Sequence, residues 1–172
     1  MVYFEEEYVV VDLETTGLSP FNGDEIIEIG VTEIKGDRIY RNYSRLVKPN
    51  GFIPSVITEI TNITNDMVQD ALPLEDVLPN FRKFIGDRTI IAHNAKFDIG
   101  FLNYYLEKMN LDPIDKYICT MEMLKKNKEY KGKNKKLQTA CDYYGILNEN
   151  AHRADSDTLA TAKLFMKIRL SM

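Results

Sequence analysis

Val9-Val10-Val11-Asp12-Leu13-Glu14-Thr15-Thr16-Gly17 decides how the chain is read. Three β-branched residues in succession predict a buried strand. Asp12 and Glu14 follow at i and i+2, so in an extended chain both side chains leave the same face. Carboxylates that close repel each other, and burial raises the cost. A divalent cation removes both objections. The plain alternative is two solvated acids on a surface strand. Against it stand the inward-pointing apolar run and the turn that Thr15, Thr16 and Gly17 impose at once, which sets the pair at a strand's end.

The elements around this stretch build a sheet. The first strand is expected over 7–13. Residues 25–34 form a second, with Ile27, Ile29 and Val31 on one side and Ile26, Gly30 and Thr32 on the other. Lys35-Gly36-Asp37-Arg38 reads as a hairpin turn into a third strand over 39–48. Pro54 and Ser55 open a short helix over 55–60, and Thr64 caps another. Leu74, Val77, Leu78, Phe81, Phe84 and Ile85 recur at helical spacing over 74–85. Thr89-Ile90-Ile91-Ala92 is then a strand reached from a helix, which implies a parallel neighbour, most simply the first strand. Further helices are expected over 97–109, 120–127, 137–144 and 154–170, with a short fifth strand at Tyr117-Ile118-Cys119. The fold class is α/β, a single domain over residues 1–172. Its mixed five-stranded sheet has order 3-2-1-4-5, strand 2 antiparallel, in three layers.

Composition excludes several classes. Hydrophobic residues make up 44% and charged residues 28% of 172, ordinary for a globular protein with its own core. Net charge is −4, which argues against gripping long nucleic acid by global charge but leaves room for local patches. Cys119 and Cys141 make no disulfide framework and fit a reducing compartment, the cytoplasm. Glu5, Glu6 and Glu7 carry the wrong charge for a signal peptide, and no apolar run reaches membrane-spanning length.

Other acids gather near the same edge. Asp98 sits one residue into the expected helix, past a buried strand and the loop His93-Asn94. If strand 4 lies beside strand 1, Asp98 arrives at the edge that holds Asp12. The bland alternative is an acid that favours a helix N-terminus. Asp155 and Asp157 both fall in the first turn of the last helix, and a helical wheel does not choose between them. His152, in the preceding loop, is either a base with a mobile seat or surface decoration. His93 follows a buried strand and can tie its loop through both ring nitrogens. Carboxylates without a Cys/His cluster favour Mg2+ or Mn2+ over zinc. Such sites typically hold two ions about 3.5–4 Å apart and cleave phosphodiesters by in-line attack.

Three motifs in order carry a resemblance that spans residues 8–168: Val11-Asp12-Leu13-Glu14-Thr15-Thr16-Gly17-Leu18, Ile91-Ala92-His93-Asn94-Ala95-Lys96-Phe97-Asp98 and His152-Arg153-Ala154-Asp155-Ser156-Asp157. The chain resembles the DEDD exonucleases of the histidine-containing subclass, above all the proofreading exonucleases of bacterial replicative DNA polymerases. The resemblance implies a ribonuclease H-like fold and two divalent cations held by Asp12, Glu14, Asp98 and Asp157. It implies that Asp12 bridges the ions and that His152 is the general base, so it selects Asp157 over Asp155. It makes Leu13, Thr15, Thr16, Phe97, His93 and Asn94 candidate substrate contacts, with Phe97 either under the terminal base or simply packed beneath its helix. Two departures stand out. Thr61-Asn62-Ile63-Thr64 has Asn where the family often has Gly, a change a left-handed turn tolerates. Cys119-Thr120 replaces a frequent Asp-Thr. The tail by which polymerase-bound subunits of the family dock is not expected after Met172.

Residues 125–136 carry seven lysines against one glutamate. Lys125, Lys126, Lys128, Lys131, Lys133, Lys135 and Lys136 are either a mobile solvated loop or a flap that contacts phosphates. Lysines without arginine forks fit backbone attraction and not base reading. Tyr130 is a candidate to stack on a base. The expected activity is 3′→5′ removal of nucleoside 5′-monophosphates from a single-stranded or frayed DNA 3′ end, free or beside a replicative polymerase. RNA trimming and a catalytically inactive nucleic-acid-binding module are the alternatives.

Overall fold

The computed structural model describes residues 6–171. Glu5, invoked above against a leader, and Met172 lie outside the described residues. Five strands form one mixed sheet, β1 (Glu7–Thr15), β2 (Ile26–Lys35), β3 (Arg38–Leu46), β4 (Thr89–Ala92) and β5 (Tyr117–Cys119), in the order β3-β2-β1-β4-β5. β2 runs antiparallel to β1 and β3, while β4 is parallel to both β1 and β5. This is the ribonuclease H-like arrangement expected from the sequence. The helices are α1 (Ser55–Thr61), α2 (Asn65–Val68), α3 (Leu74–Ile85), α4 (Ala95–Lys108), α5 (Thr120–Lys126), α6 (Leu137–Tyr144) and α7 (Ala154–Ser171).

Both faces of the sheet are covered, which is why β1 shows no alternation of apolar and polar residues. Val9, Val11 and Leu13 pack with Val77, Leu78 and Phe81 of α3 and with Ile99, Phe101 and Leu102 of α4. Tyr8 and Val10 face the opposite way, against Ala162 and Phe165 of α7. α5 and α6 close over the outer side of α7 through Leu124, Ala140, Cys141 and Leu164. By the same parity Asp12 and Glu14 point to the α7 side, in line with Val10.

The faces of β2 differ from the sequence reading. Ile26 packs with Ile29 and Val31, and Ile27 lies in a separate cluster with Ile53, Ile63 and Val68. A bulge is the cause. Glu14 pairs with Glu28 but Thr15 pairs with Ile26, so one residue is skipped and everything before it changes face. Three boundaries move as well. β1 runs on to Thr15. β3 stops at Leu46, and Lys48 instead bridges to Pro73. α4 begins at Ala95, because Asn94 adopts a left-handed conformation (φ 63°) and its carbonyl accepts the Phe97 N–H. Asp98 is therefore the fourth residue of its helix, as Asp157 is of α7. Asn62 ends α1 at φ 61°, so the departure from Gly keeps its turn.

Candidate active site

The acids meet where β1 outruns its parallel neighbour. β4 pairs with β1 only as far as Val10, so the end of β1 is open on that flank. Asp98 reaches into the opening, and its Oδ1 accepts the Leu13 N–H at 3.0 Å. On the α7 side, Gly30 of β2 lies opposite Asp12. A methyl group at Gly30 would stand 2.3 Å from the Ala154 carbonyl, so only glycine lets the first turn of α7 come this close to the sheet. That approach carries Asp157 to β1. Asp12, Glu14 and Asp157 each present an oxygen within 4.8 Å of the others. Asp98 is not part of that triad, but its charge acts directly on Asp12.

Asp157 is held by the loop before its helix. Asn148 Nδ2 donates to its Oδ1 at 2.8 Å, and the His152 N–H donates to its Oδ2 at 3.1 Å. His152 has φ 69° and an exposed side chain. The choice that the helical wheel left open is made by packing. Asp157 is buried among the acids, while Asp155 bonds the Ser156 N–H through its side chain and the Asn42 amide through its carbonyl.

The electrostatics mark a site that wants a cation. Burial first, then the charges of Asp98, Glu14, Asp157 and Glu28, hold the Asp12 carboxyl well above the usual range. Glu14 is pushed up to about 9 by burial and by Asp157, Glu28 and Asp98. Asp98 rises to about 8 through burial, against the pull of the backbone hydrogen bond from Leu13. Burial raises Asp157 too, opposed by Asn148 and His152. Asp12 Oδ2 is buried with no hydrogen-bond partner. An acceptor left bare in a cluster of oxygen donors fits a hard divalent ion. The triad can coordinate one such cation.

The other sequence candidates have mixed placements. Leu13 is buried and its N–H belongs to Asp98. Thr15 Oγ1 donates to the Gly17 carbonyl at 2.6 Å, and Thr16 Oγ1 accepts the Glu25 N–H at 2.9 Å, so both side chains brace the turn after β1. Phe97 is half-buried with its ring 5.0 Å from Phe101. Asn94 is exposed and caps α4 with its backbone alone. His93 engages Thr120 Oγ1 through Nδ1 at 2.8 Å and the Lys135 carbonyl through Nε2 at 2.7 Å. A carbonyl at Nε2 fixes the proton there, and burial lowers the ring's pKa. At the second departure from the family pattern, Cys119 Sγ accepts the Ala95 N–H at 3.3 Å and Thr120 serves His93.

The lysine segment is a built loop and not a loose one. Tyr130 is buried in the α5–α6–α7 cluster, stacks on Tyr144 and donates to the Asn134 carbonyl at 2.5 Å. It has no ring face to offer a base, which corrects the stacking role considered above. Asn127 ties the loop to Tyr144 and Ser171. Of the seven lysines, six are exposed and Lys135 is half-buried. The sequence reading missed Asn148, which no motif flags, and the role of Gly30, for which a glycine inside a buried strand was the available signal.

The Exonuclease family model, of the RNase T type, matches residues 9–165. The chain belongs to the DEDD exonuclease family. Over 164 residues it is 40% identical to the PolC-type DNA polymerase III of Caldanaerobacter subterraneus subsp. tengcongensis, covering 95% of this chain. Against the Bacillus subtilis PolC-type enzyme the identity is 39% over 165 residues. This exonuclease chain spans 12% and 11% of those two proteins. Exonuclease X in complex with 5′ overhanging duplex DNA superposes with a TM-score of 0.76 at 26% identity, covering 95% of this chain and 91% of that one. E. coli Exonuclease I shares the fold, with a TM-score of 0.83 at 15% identity over 97% of this chain and 42% of that one.

Proposed function

We propose that this exonuclease domain removes nucleotides from DNA 3′ ends and releases nucleoside 5′-monophosphates, in proofreading beside a replicative polymerase. The observation that carries the reading is the convergence of Asp12, Glu14 and Asp157 on one point, with Asp12 Oδ2 unpartnered. Asp98 completes the set beside Asp12. Asp12, Glu14, Asp98 and Asp157 would hold two divalent ions, Mg2+ or Mn2+. Such ions supply an acidified water and neutralise charge at the leaving oxygen.

The chain's own residues supply the rest. His152 is exposed and its backbone is tied to Asp157, and its imidazole is the group that would take a proton from the attacking water. Asp157 accepts the backbone N–H of the same residue, so ligand and base move together. Leu13, Thr15, Thr16, His93, Asn94 and Phe97 would be the residues nearest a terminal nucleotide. Exposed lysines at 125, 126, 128, 131, 133 and 136, with Lys135, attract the phosphate backbone without reading bases. Both cysteines are free, which fits the cytoplasm. Among the described residues no helix is long and apolar enough to cross a membrane.

The test is a digestion series with Mg2+ or Mn2+, comparing single-stranded DNA, a duplex with a mismatched 3′ terminus and RNA of equal length. Mononucleotides should appear from the 3′ ends of both DNAs ahead of RNA. Faster RNA trimming would make the enzyme an exoribonuclease. No mononucleotide from any substrate would make it a binding module.

A further inference from the structure

Glu28 is a fifth carboxylate near the acidic cluster, and it lies fully buried on β2, opposite Glu14 in the strand register. It is not bare like Asp12. Its Oε1 accepts the Ala154 N–H at 2.7 Å, and its Oε2 accepts Arg153 Nη2 at 2.7 Å. Arg153 Nε reaches Oε1 at 3.3 Å, so the guanidinium forks onto the carboxylate. Ala154 opens α7, whose first N–H groups have no partner within the helix. The residue before it is arginine, which has no acceptor to cap with. A carboxylate from another strand therefore does the capping, and its charge suits the positive end of the helix.

The same turn carries the chemistry. His152 directly precedes Arg153, and Asp157 N donates to the Arg153 carbonyl at 2.9 Å. Two other residues hold this turn to β2 and β3: Thr32 Oγ1 bonds Thr158 Oγ1 at 3.0 Å, and Asn42 Nδ2 donates to the Asp155 carbonyl at 2.8 Å and to Thr158 Oγ1 at 3.4 Å. Neither reaches the backbone N-terminal to Ala154. Among the described residues, Glu28 alone grips both Arg153 and Ala154.

We propose that Glu28 is a positioning residue: through Arg153 and the Ala154 N–H it fixes the start of α7, and so sets where His152 and Asp157 stand relative to Asp12 and Glu14. Both Glu28 oxygens are taken by Arg153 and Ala154, and Glu28 is not part of the triad. The inference rests on the exonuclease reading for its kinetic consequence, but not for its effect on metal binding.

The test uses Glu28→Asp, which keeps the charge and shortens the reach, with Glu28→Gln as the variant that keeps the reach and one acceptor. Mononucleotide release is measured for both variants, and Glu28→Asp is also made in a His152→Ala background. Mn2+ binding is measured by calorimetry without substrate. Glu28→Asp is expected to lower kcat at least tenfold with KM nearly unchanged, and to weaken Mn2+ binding several-fold through displaced Asp157. In the His152→Ala background the kcat loss should shrink several-fold, since the base it positions is gone. Glu28→Gln should retain more activity than Glu28→Asp. Wild-type kcat and Mn2+ affinity in Glu28→Asp would overturn the proposal, as would a loss that multiplies fully with that of His152→Ala. If the wild-type chain releases no mononucleotide, the exonuclease reading falls, and the Mn2+ titration still decides the role of Glu28.

Discussion

Gly30→Ala puts the account of the site under direct strain. The added methyl would lie 2.3 Å from the Ala154 carbonyl carbon and oxygen and 2.7 Å from its Cβ, where ordinary contact begins at 3.4 Å. The atoms it meets are mainly backbone, so no side chain can swing aside. The first turn of α7 must back away by roughly 1 Å, and overpacking of this kind costs about 1–3 kcal/mol. The Ala154–Glu28 hydrogen bond, 2.7 Å long, would stretch beyond useful range and add a loss on the order of 1.5–3 kcal/mol for a bond to a charged acceptor. For a chain of this size the sum corresponds to a fall in Tm of roughly 5–25 °C. Asp157 and His152 move with the turn, and a 1 Å misplacement of catalytic groups costs on the order of 100-fold in rate. Thermal melts followed by circular dichroism and single-turnover release of mononucleotide read the two effects. Gly100→Ala is the control, since nothing lies within 4 Å of a methyl there and it sits in α4. It should be neutral or stabilising by about 0.5–1 kcal/mol. A Gly30→Ala protein that melts within a degree of wild type and keeps more than half its rate would refute the packing argument.

Asp12→Asn should abolish turnover while leaving the fold intact, because it removes the acid at the centre of the cluster together with its repulsion; more than a tenth of the wild-type rate would contradict a bridging role. The pH dependence of stability carries its own sign. Asp12, Glu14, Asp98 and Asp157 all have raised pKa values, with Glu14 near 9 and Asp98 near 8, so the folded chain binds protons more tightly than the unfolded one. Their contribution is complete below about pH 4 and is lost as pH rises through 8–9. Tm in chelator should therefore fall between pH 5 and pH 9, and saturating Mn2+ should flatten or reverse the trend; a Tm in chelator that climbs across this range would count against the cluster. Replacing Lys131, Lys133 and Lys136 by Gln should raise KM for single-stranded DNA and reduce its salt slope by about 0.7 for each phosphate no longer neutralised. An unchanged KM would assign those side chains to solvent.

Much of this site can be read from local pattern. The Val9–Val11 run, the two acids after it and the turn at Gly17 place Asp12 and Glu14 at the strand end that the fold shows. The sheet order follows from a hairpin and two crossovers. What the sequence hid is set by packing across the chain. Nothing in the residues around Ile27 announces a bulge, yet it puts Ile26 and not Ile27 on the face of Ile29 and Val31. Asp155 and Asp157 are alike on a helical wheel; the motif resemblance selects Asp157, and the landing of α7 on Gly30 gives the physical reason. Tyr130 resembles a stacking platform amid lysines because a sequence does not show that the loop folds back over its ring. Glu28 reads as one acid in an apolar strand, and its partner lies 125 residues away.

The convergence of the acids is tested most directly by anomalous diffraction from crystals soaked with Mn2+ and a nucleoside 5′-monophosphate. Two manganese peaks should appear beside Asp12, with Glu14, Asp98 and Asp157 as the surrounding ligands and the phosphate between the metals and His152. Manganese bound elsewhere, with none within coordination distance of Asp12, would contradict the account.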